Sequence, residues 1–466
     1  MNVPNLIQSL YRRGHLIEPD AVDFISNNSN RIIPHLDGLD PASTPVITMS
    51  HLQKIMEREA GGVELLSNYE ENFDIKGGVE DFHSYFTTRY QKISNILRGR
   101  PELEGVTSIR NTNLSRLEEL SLIGMVTEIS ETKAGHYIME LEDQTGSVKV
   151  IIPKGSEGHK IAPEIVYDEV VGVSGRSGKE VVFARNVTFP GVPQTNWPEQ
   201  DFSIAMISDT HVGSRMFMED VFMNFISWLN GDGPEEQREL SASVRYLLVA
   251  GDLVDGCGVY KGQLKELNLP NIQDQYAKFA ELISKIKKEI KIIISPGNHD
   301  ATREAEPQPA IPRIFAPSLY EIPNVVMVSS PCLLRLGGLT VLLYHGSSLD
   351  SVINSIPSLR QVGYDEPHKA MQVLLNKRHL NPIYGEATRI FSETDDGLVI
   401  KKVPNLVHMG HVHSVGACVH RGVRIVNSGA FQSQTPFQAK IGHHPTPGIV
   451  PIVDSLGKIT MVNFNT

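Results

Sequence analysis

Apolar positions along this chain change their period twice, and each regime marks a different kind of structure. Over residues 1 to about 60 they recur at three- and four-residue steps, as Leu6, Ile7, Leu10 and Tyr11 and then Ala21, Val22, Phe24 and Ile25. That spacing predicts two or three short helices, continued from Ser50 to about Ala60. The next run, GGVELLSNYEENFDIKGGVEDF, mixes glycine, asparagine and acidic residues without a sustained period and predicts a linker. A helix is expected after it, around His83 to Leu97.

From about Leu117 to Pro190 the period becomes two, in LIGMVTEI, HYIMELEDQTGSVKVIIP, DEVVGVSGRS and EVVFARNVTF. Asp143-Gln144-Thr145-Gly146 has hairpin-loop chemistry, and Gly175 to Gly178 predicts a second turn. Several short strands in so few residues suggest a small closed β-barrel, with the OB-fold as first choice. Tyr137 and Phe183 are its main candidates for stacking on bases, so an interaction or scaffolding role is favoured over direct nucleic-acid binding.

Beyond Pro198 strand, loop and helix alternate. Ser203–Ser208, Tyr246–Ala250, Ile292–Ser295, Val341–Tyr344, Leu406–Met409 and Arg424–Asn427 are apolar runs of strand length. Ile272, Tyr276, Phe279, Ile283, Ile286 and Ile290 share one helical face, so an amphipathic helix should cover the sheet. The expected organisation is a helical domain over 1–60, a linker with a helix over 61–115, an OB-fold over 116–192 and an α/β, mixed-sheet domain over 198–466.

Composition narrows the class. A chain of 466 residues with 40% apolar content can bury sizeable cores. It has no run of roughly 20 apolar residues, and the start MNVPNLIQSLYRRGHL is charged too early for a secretory leader, which points to the cytoplasm and away from membranes. Cys257, Cys332 and Cys418 have no disulfide or zinc spacing and are expected as small buried hydrophobes. A net charge of −11 argues against holding nucleic acid by bulk electrostatics. The basic pairs Arg98/Arg100, Lys287/Lys288, Lys377/Arg378 and Lys401/Lys402 are expected on solvated faces.

The candidate chemistry lies in five segments, ISDTHVGS, VAGDLVDG, SPGNHD, YHG and GHVH, each a strand end running into a turn. Hydrolysing a phosphate ester at neutral pH needs a strong nucleophile and neutralisation of phosphate charge, which a pair of divalent cations supplies. Asp209 and His211, two residues apart, project to one side if the strand stays extended. Asp252 follows Gly251, whose missing side chain lets the carboxylate come close enough to bridge two ions. His411 and His413 repeat the two-residue device after Gly410, and His345 precedes Gly346. Asn298 offers a neutral oxygen to a hard cation. His408 is expected in the core, and Asp255 and Asp300 as supporting or turn residues rather than ligands.

In this order, DxH, GD, GNHD, H and GHxH resemble the motifs of the calcineurin-like metallophosphoesterases, over roughly residues 200 to 466. The resemblance implies a β-sandwich-type α/β domain. It places Asp209, His211, Asp252 and His413 on a first ion and Asp252, Asn298, His345 and His411 on a second. It gives His299 the task of contacting substrate and protonating the leaving oxygen, and it makes manganese the expected cation; the ligand types alone would also accept iron, zinc or cobalt. The domain order, with LYRRGHLIEPDAVDFI near the start and NWPEQDFSIAMISDTHVGS at the junction, resembles the small-subunit family of archaeal family-D DNA polymerases. That implies a proofreading 3′–5′ exonuclease acting on single-stranded 3′ ends of DNA, in complex with a large catalytic polymerase subunit. The B subunits of eukaryotic replicative polymerases are similar in layout but have lost the ligands, all of which stand here. The alternatives are a non-catalytic scaffold, or a phosphatase or phosphodiesterase for another phosphate ester.

Overall fold

The computed structural model describes residues 3–27, 36, 44–49, 51–52, 62–70, 78–112, 119–440 and 442–465. It divides into two compact units, residues 1–66 with 334–338, and residues 67–333 with 339–466. The first unit carries helices Val3–Arg13 and Pro19–Asn27 and a short parallel pair, Leu16–Ile17 with Val46–Ile47. Leu10, Ala21, Ile25, Leu36, Ile47 and Leu52 form its apolar core, whereas Tyr11, expected on the same face as Leu10, is exposed. The helix expected over 50–60 lies outside the described residues except for 51–52. Part of the expected linker is ordered as strand Val63–Asn68.

In the second unit the first helix runs over Val79–Leu97, a turn earlier than its apolar pattern. The Asp81 carboxylate accepts the Gly78 N–H at 3.0 Å and secures that extra turn. Tyr85, Arg89, Ile93 and Leu97, four residues apart, form its buried stripe. Ile93 and Leu97 pack with Leu103, Ile123 and Val170. Arg89 is wholly buried and fully engaged. Its Nε donates to Asp396 at 2.8 Å, and its Nη1 donates to the carbonyls of Pro382 and Asp168.

The barrel closes as expected. Strands Leu120–Glu131, Tyr137–Asp143, Gly146–Ile152, Val170–Ser177 and Val181–Thr188 run in the order first, second, third, fifth, fourth, with the first and fourth paired. The third and fifth are parallel, and a short helix, Glu157–Ile161, precedes the fourth. This is OB-fold topology. The 143–146 hairpin is present, with Thr145 N donating to Asp143 Oδ1. The second turn is displaced: Gly175 sits at a register shift inside its strand, where a Cβ would strike the Phe183 carbonyl, and the chain reverses after Ser177. Tyr137 and Phe183 are only half exposed, Tyr137 edge-on to His159 and Phe183 beneath Arg176.

Residues beyond Pro198 form a mixed α/β domain of two sheets. One has the order Val325–Met327, Lys291–Ser295, Val244–Ala250, Ser203–Ile207, Ile449–Val453, Ile459–Asn463, its first four strands parallel. The other includes Gly416–His420, Val423–Asn427, Leu406–Met409 and Leu339–Leu343 in that order. Helix Glu219–Asn230 lays Phe222, Phe225 and Leu229 on the first sheet, beside Tyr276, Phe279 and Ile283 of helix Ile272–Ile283. Each such side chain contributes about 1.5–3 kcal/mol by burial. That second helix stops at Ser284, short of the expected length, and Ile286 and Ile290 reach the same core from the turns that follow.

Two expectations about surface residues are corrected. Lys377 is 2% exposed, with its Nζ donating to both Glu169 carboxylate oxygens, so it joins the barrel to the sheet domain instead of facing solvent. Arg378 is buried too, on the carbonyls of Ile400 and Lys401. Cys257 is exposed, whereas Cys332 is buried and Cys418 partly so.

His379 donates to Asp396 at 2.8 Å, yet burial, aided by the Arg89 charge, pushes its pKa down to about 4 against the pull of Asp396. The unfolded chain takes up a proton near pH 6.5 that the fold refuses until about pH 4. Stability therefore falls as pH drops through that window, by up to about 1.4 kcal/mol per unit from this residue. Urea midpoints measured from pH 7 to pH 4 should show the fall. His379→Gln, which keeps a neutral donor, should flatten it, and an unchanged slope would contradict the assignment.

Candidate metal and phosphoester site

All five motif segments lie just past the C-terminal ends of strands: 209 and 211 after Ser203–Ile207, 252 after Val244–Ala250, 298 and 299 after Lys291–Ser295, 345 after Leu339–Leu343, and 411 and 413 after Leu406–Met409. Their backbone is not extended, as the two-residue spacing had suggested. Among the described residues nine non-glycine residues have positive φ, and five of them are Asp209, His211, Asp252, His411 and His413. A left-handed residue costs about 1–2 kcal/mol, so this clustering is strain concentrated at one place. The reversal it imposes, not strand alternation, turns these side chains inward. Gly251, itself at φ +82°, lies so close to Gly297 N and His345 Nδ1 that a Cβ would come within 2.6 Å of each.

Two groups of side chains result. In one, His413 Nε2 lies 3.4 Å from Asp209 Oδ1 and 3.1 Å from His211 Nε2, which in turn is 3.7 Å from Asp252 Oδ2. Asp209 Oδ1 is buried without a hydrogen-bond partner. In the other, Asn298 Oδ1 lies 2.9 Å from His345 Nε2 and 3.0 Å from His411 Nδ1, and His345 Nε2 is 3.5 Å from Asp252 Oδ2. Asp252 borders both groups. His299 sits at the rim, its backbone N–H donating to Asp252 Oδ1 and its ring edge-on to His211 at 4.7 Å.

The second group tests whether the residues suit a cation. His345 Nδ1 donates to the Ala250 carbonyl at 2.7 Å and His411 Nε2 donates to Asp350 at 3.1 Å. Each ring therefore aims its other nitrogen at the Asn298 oxygen, as a lone pair when the ring is neutral and as an N–H donor when it is protonated. The arrangement calls for positive charge among these atoms, supplied by the ring protons or, with the rings neutral, by a cation. Burial lowers the His345 pKa, but the Asp252 carboxylate overrides this and pulls it up to about 10. Burial likewise opposes ionisation of Asp252, yet His345 and then His299 hold it well below the usual carboxylate range. The donor set of carboxylate, imidazole and amide oxygen fits a divalent ion.

Surrounding residues hold these rings. Asp255 Oδ1 lies 3.2 Å from His211 Nδ1, and the carboxylate is fixed by Gln263 and Gln432. Asp300 accepts from Gly297 N and Tyr276 OH, and burial, reinforced by Asp252, pushes it up to about 7. His408 is buried on Ser428 and pushed down to about 3 by burial. The Ser428 hydroxyl continues to Ser208 and from there to Asp209. Asp350, Gln438 and Gln432 went unnoticed in the sequence, because no motif marks them and they come from other segments.

The family model for the B-type subunits of DNA polymerases alpha and epsilon matches residues 204–415, and that described as OB-fold nucleic acid binding domain matches 120–181. The first match falls on the sheet domain that carries the site and the second on the barrel. The DNA polymerase II small subunit of Methanothermobacter thermautotrophicus is 45% identical over 86% of this chain and 83% of its own length. That of Archaeoglobus fulgidus is 39% identical over 97% and 89%, and that of Pyrococcus abyssi 40% identical over 84% and 67%. The chain belongs to the family of archaeal DNA polymerase II small subunits. Among its described residues no helix is long and apolar enough to cross a membrane.

Gly251→Ala should cost about 1–3 kcal/mol through overpacking, because backbone rather than a mobile side chain blocks the methyl group. It should also remove any stabilisation by an added divalent cation. Thermal melts with and without the ion check both, and a variant with unchanged melting and ion response would refute the close packing.

Proposed function

We propose that this chain is the proofreading 3′–5′ exonuclease of a family-D DNA polymerase, hydrolysing DNA phosphodiester bonds with two divalent cations, manganese by expectation, while stabilising the large polymerase subunit. The observation that carries the reading is the convergence of His345 Nε2, His411 Nδ1 and Asn298 Oδ1 beside Asp252. Family membership adds the polymerase context and a large-subunit partner.

Asp209, His211, Asp252 and His413 would hold one ion, and Asp252, Asn298, His345 and His411 the other. Bound there, the ions neutralise phosphate charge and make water acidic enough to attack at neutral pH. The chain's own groups do the rest. Ala250 O and Asp350 fix the tautomers of His345 and His411. His299 Nδ1 donates to the Asp255 carbonyl at 2.7 Å, which leaves Nε2 to meet the phosphate and, once protonated to the imidazolium, to pass that proton to the departing 3′ oxygen. Burial, against the pull of Asp252, lowers the His299 pKa below its ordinary value.

With Mn2+ the chain, alone or with its large subunit, should shorten single-stranded DNA from the 3′ end. Asp252→Asn should lose ion binding by calorimetry together with activity. His299→Ala should keep its ions while turnover falls by about 10²–10⁴-fold. Ion loss in His299→Ala would refute its role. Failure of the intact protein to degrade DNA in either state would leave the scaffold reading, and turnover of simple phosphate esters without DNA hydrolysis the phosphatase one.

A further inference from the structure

Over the site opens a cavity of about 360 Å³, within the ordinary size range of ligand pockets. Among the described residues none that lines it is lysine or arginine, although the substrate proposed above is a polyanion. Its outer wall instead carries two large exposed aromatic residues, Phe437 at 68% and Tyr260 at 42% exposure. Each is tied to the histidine cluster through a neighbouring glutamine. Gln438, next to Phe437, donates Nε2 to His413 Nδ1 at 3.0 Å and is anchored in turn by Thr435. Gln263, which holds the Tyr260 loop through Val259 N at 2.9 Å, donates to Asp255, the neighbour of His211.

An exposed phenylalanine costs solubility and contributes nothing to the core, yet its neighbour Gln438 ties this segment to His413 by a hydrogen bond. That suits a flat apolar partner whose phosphate lies in the site. The geometry points to a base-stacking subsite: Phe437 and Tyr260 receive unpaired nucleobases at the 3′ end of a DNA strand whose scissile phosphate faces the histidines. Bases in a duplex cover one another's faces, so only a frayed or mismatched end can enter. Discrimination against paired ends then comes from this chain, by stacking in place of charge. The inference rests on the exonuclease reading and names the substrate feature it selects.

The test uses the full chain with Mn2+ and a single-stranded oligonucleotide that carries 2-aminopurine at its 3′ end behind a hydrolysis-resistant phosphorothioate linkage. Stacking quenches the fluorescence. Quenching should accompany binding to the wild-type chain. Phe437→Ala should lose it and bind roughly tenfold more weakly, Phe437→Trp should restore it, and both variants should bind Mn2+ as the wild type does by calorimetry. Absence of quenching in the wild type, or quenching that survives Phe437→Ala combined with Tyr260→Leu, overturns the subsite. Turnover is read separately. A strand that stacks but is left intact when its natural linkage is restored refutes the exonuclease and leaves the subsite standing, and a strand hydrolysed without quenching does the reverse.

Discussion

The convergence of imidazole, amide and carboxylate atoms on one place that calls for positive charge is the constraint around which the sheet domain is built. The nitrogens of His345 and His411 and the oxygen of Asn298 point at one another beside the carboxylate of Asp252, with their remaining hydrogen-bonding atoms committed to Ala250 and Asp350. Without positive charge among them, protons or a cation, these groups would repel. They are kept together by positive-φ backbone at five of the motif residues and by glycine at 251, where strand ends and loops approach more closely than any side chain would permit. The strain is carried by two well-packed sheets, whose apolar cores supply the stabilisation that holds it in place.

Polar clips, not apolar contacts alone, connect the barrel to that domain. Lys377 reaches Glu169 and the Glu164 carbonyl, while Arg89 spans from its helix to Asp396, Pro382 and Asp168. Buried pairs of this kind gain little net energy over apolar packing but tolerate few alternative arrangements. They fix the barrel on the same rigid body as the site. On the proposed function, a chain of net charge −11 would hold DNA by stacking and not by its own field.

Much of the architecture could be read from period alone. Strand-length runs at 203, 246, 292, 341, 406 and 424 fall on observed strands to within one or two residues, because strands buried on both faces leave uninterrupted apolar runs. Boundaries set by single polar contacts were less legible. The Asp81 cap lengthens one helix, the bulge at Gly175 shifts a turn, and Glu169 draws Lys377 inward from a pattern that looked like surface. Each depends on a partner far away in sequence or on a hydrogen bond that composition does not reveal.

For the site, the sequence by itself determined which donor types are available and in what order, since a ligand's chemistry belongs to its own side chain and the strand-end glycines stand next to it. Only the tertiary structure decided how those donors face one another. Local extension would have sent Asp209 and His211 outward along their strand, whereas the left-handed turns bring them to His413. The same holds for Asp350, Gln438 and the aromatic pair at the rim: their relation to the histidines is a distance through space, created when separate loops meet, and no local pattern carries it.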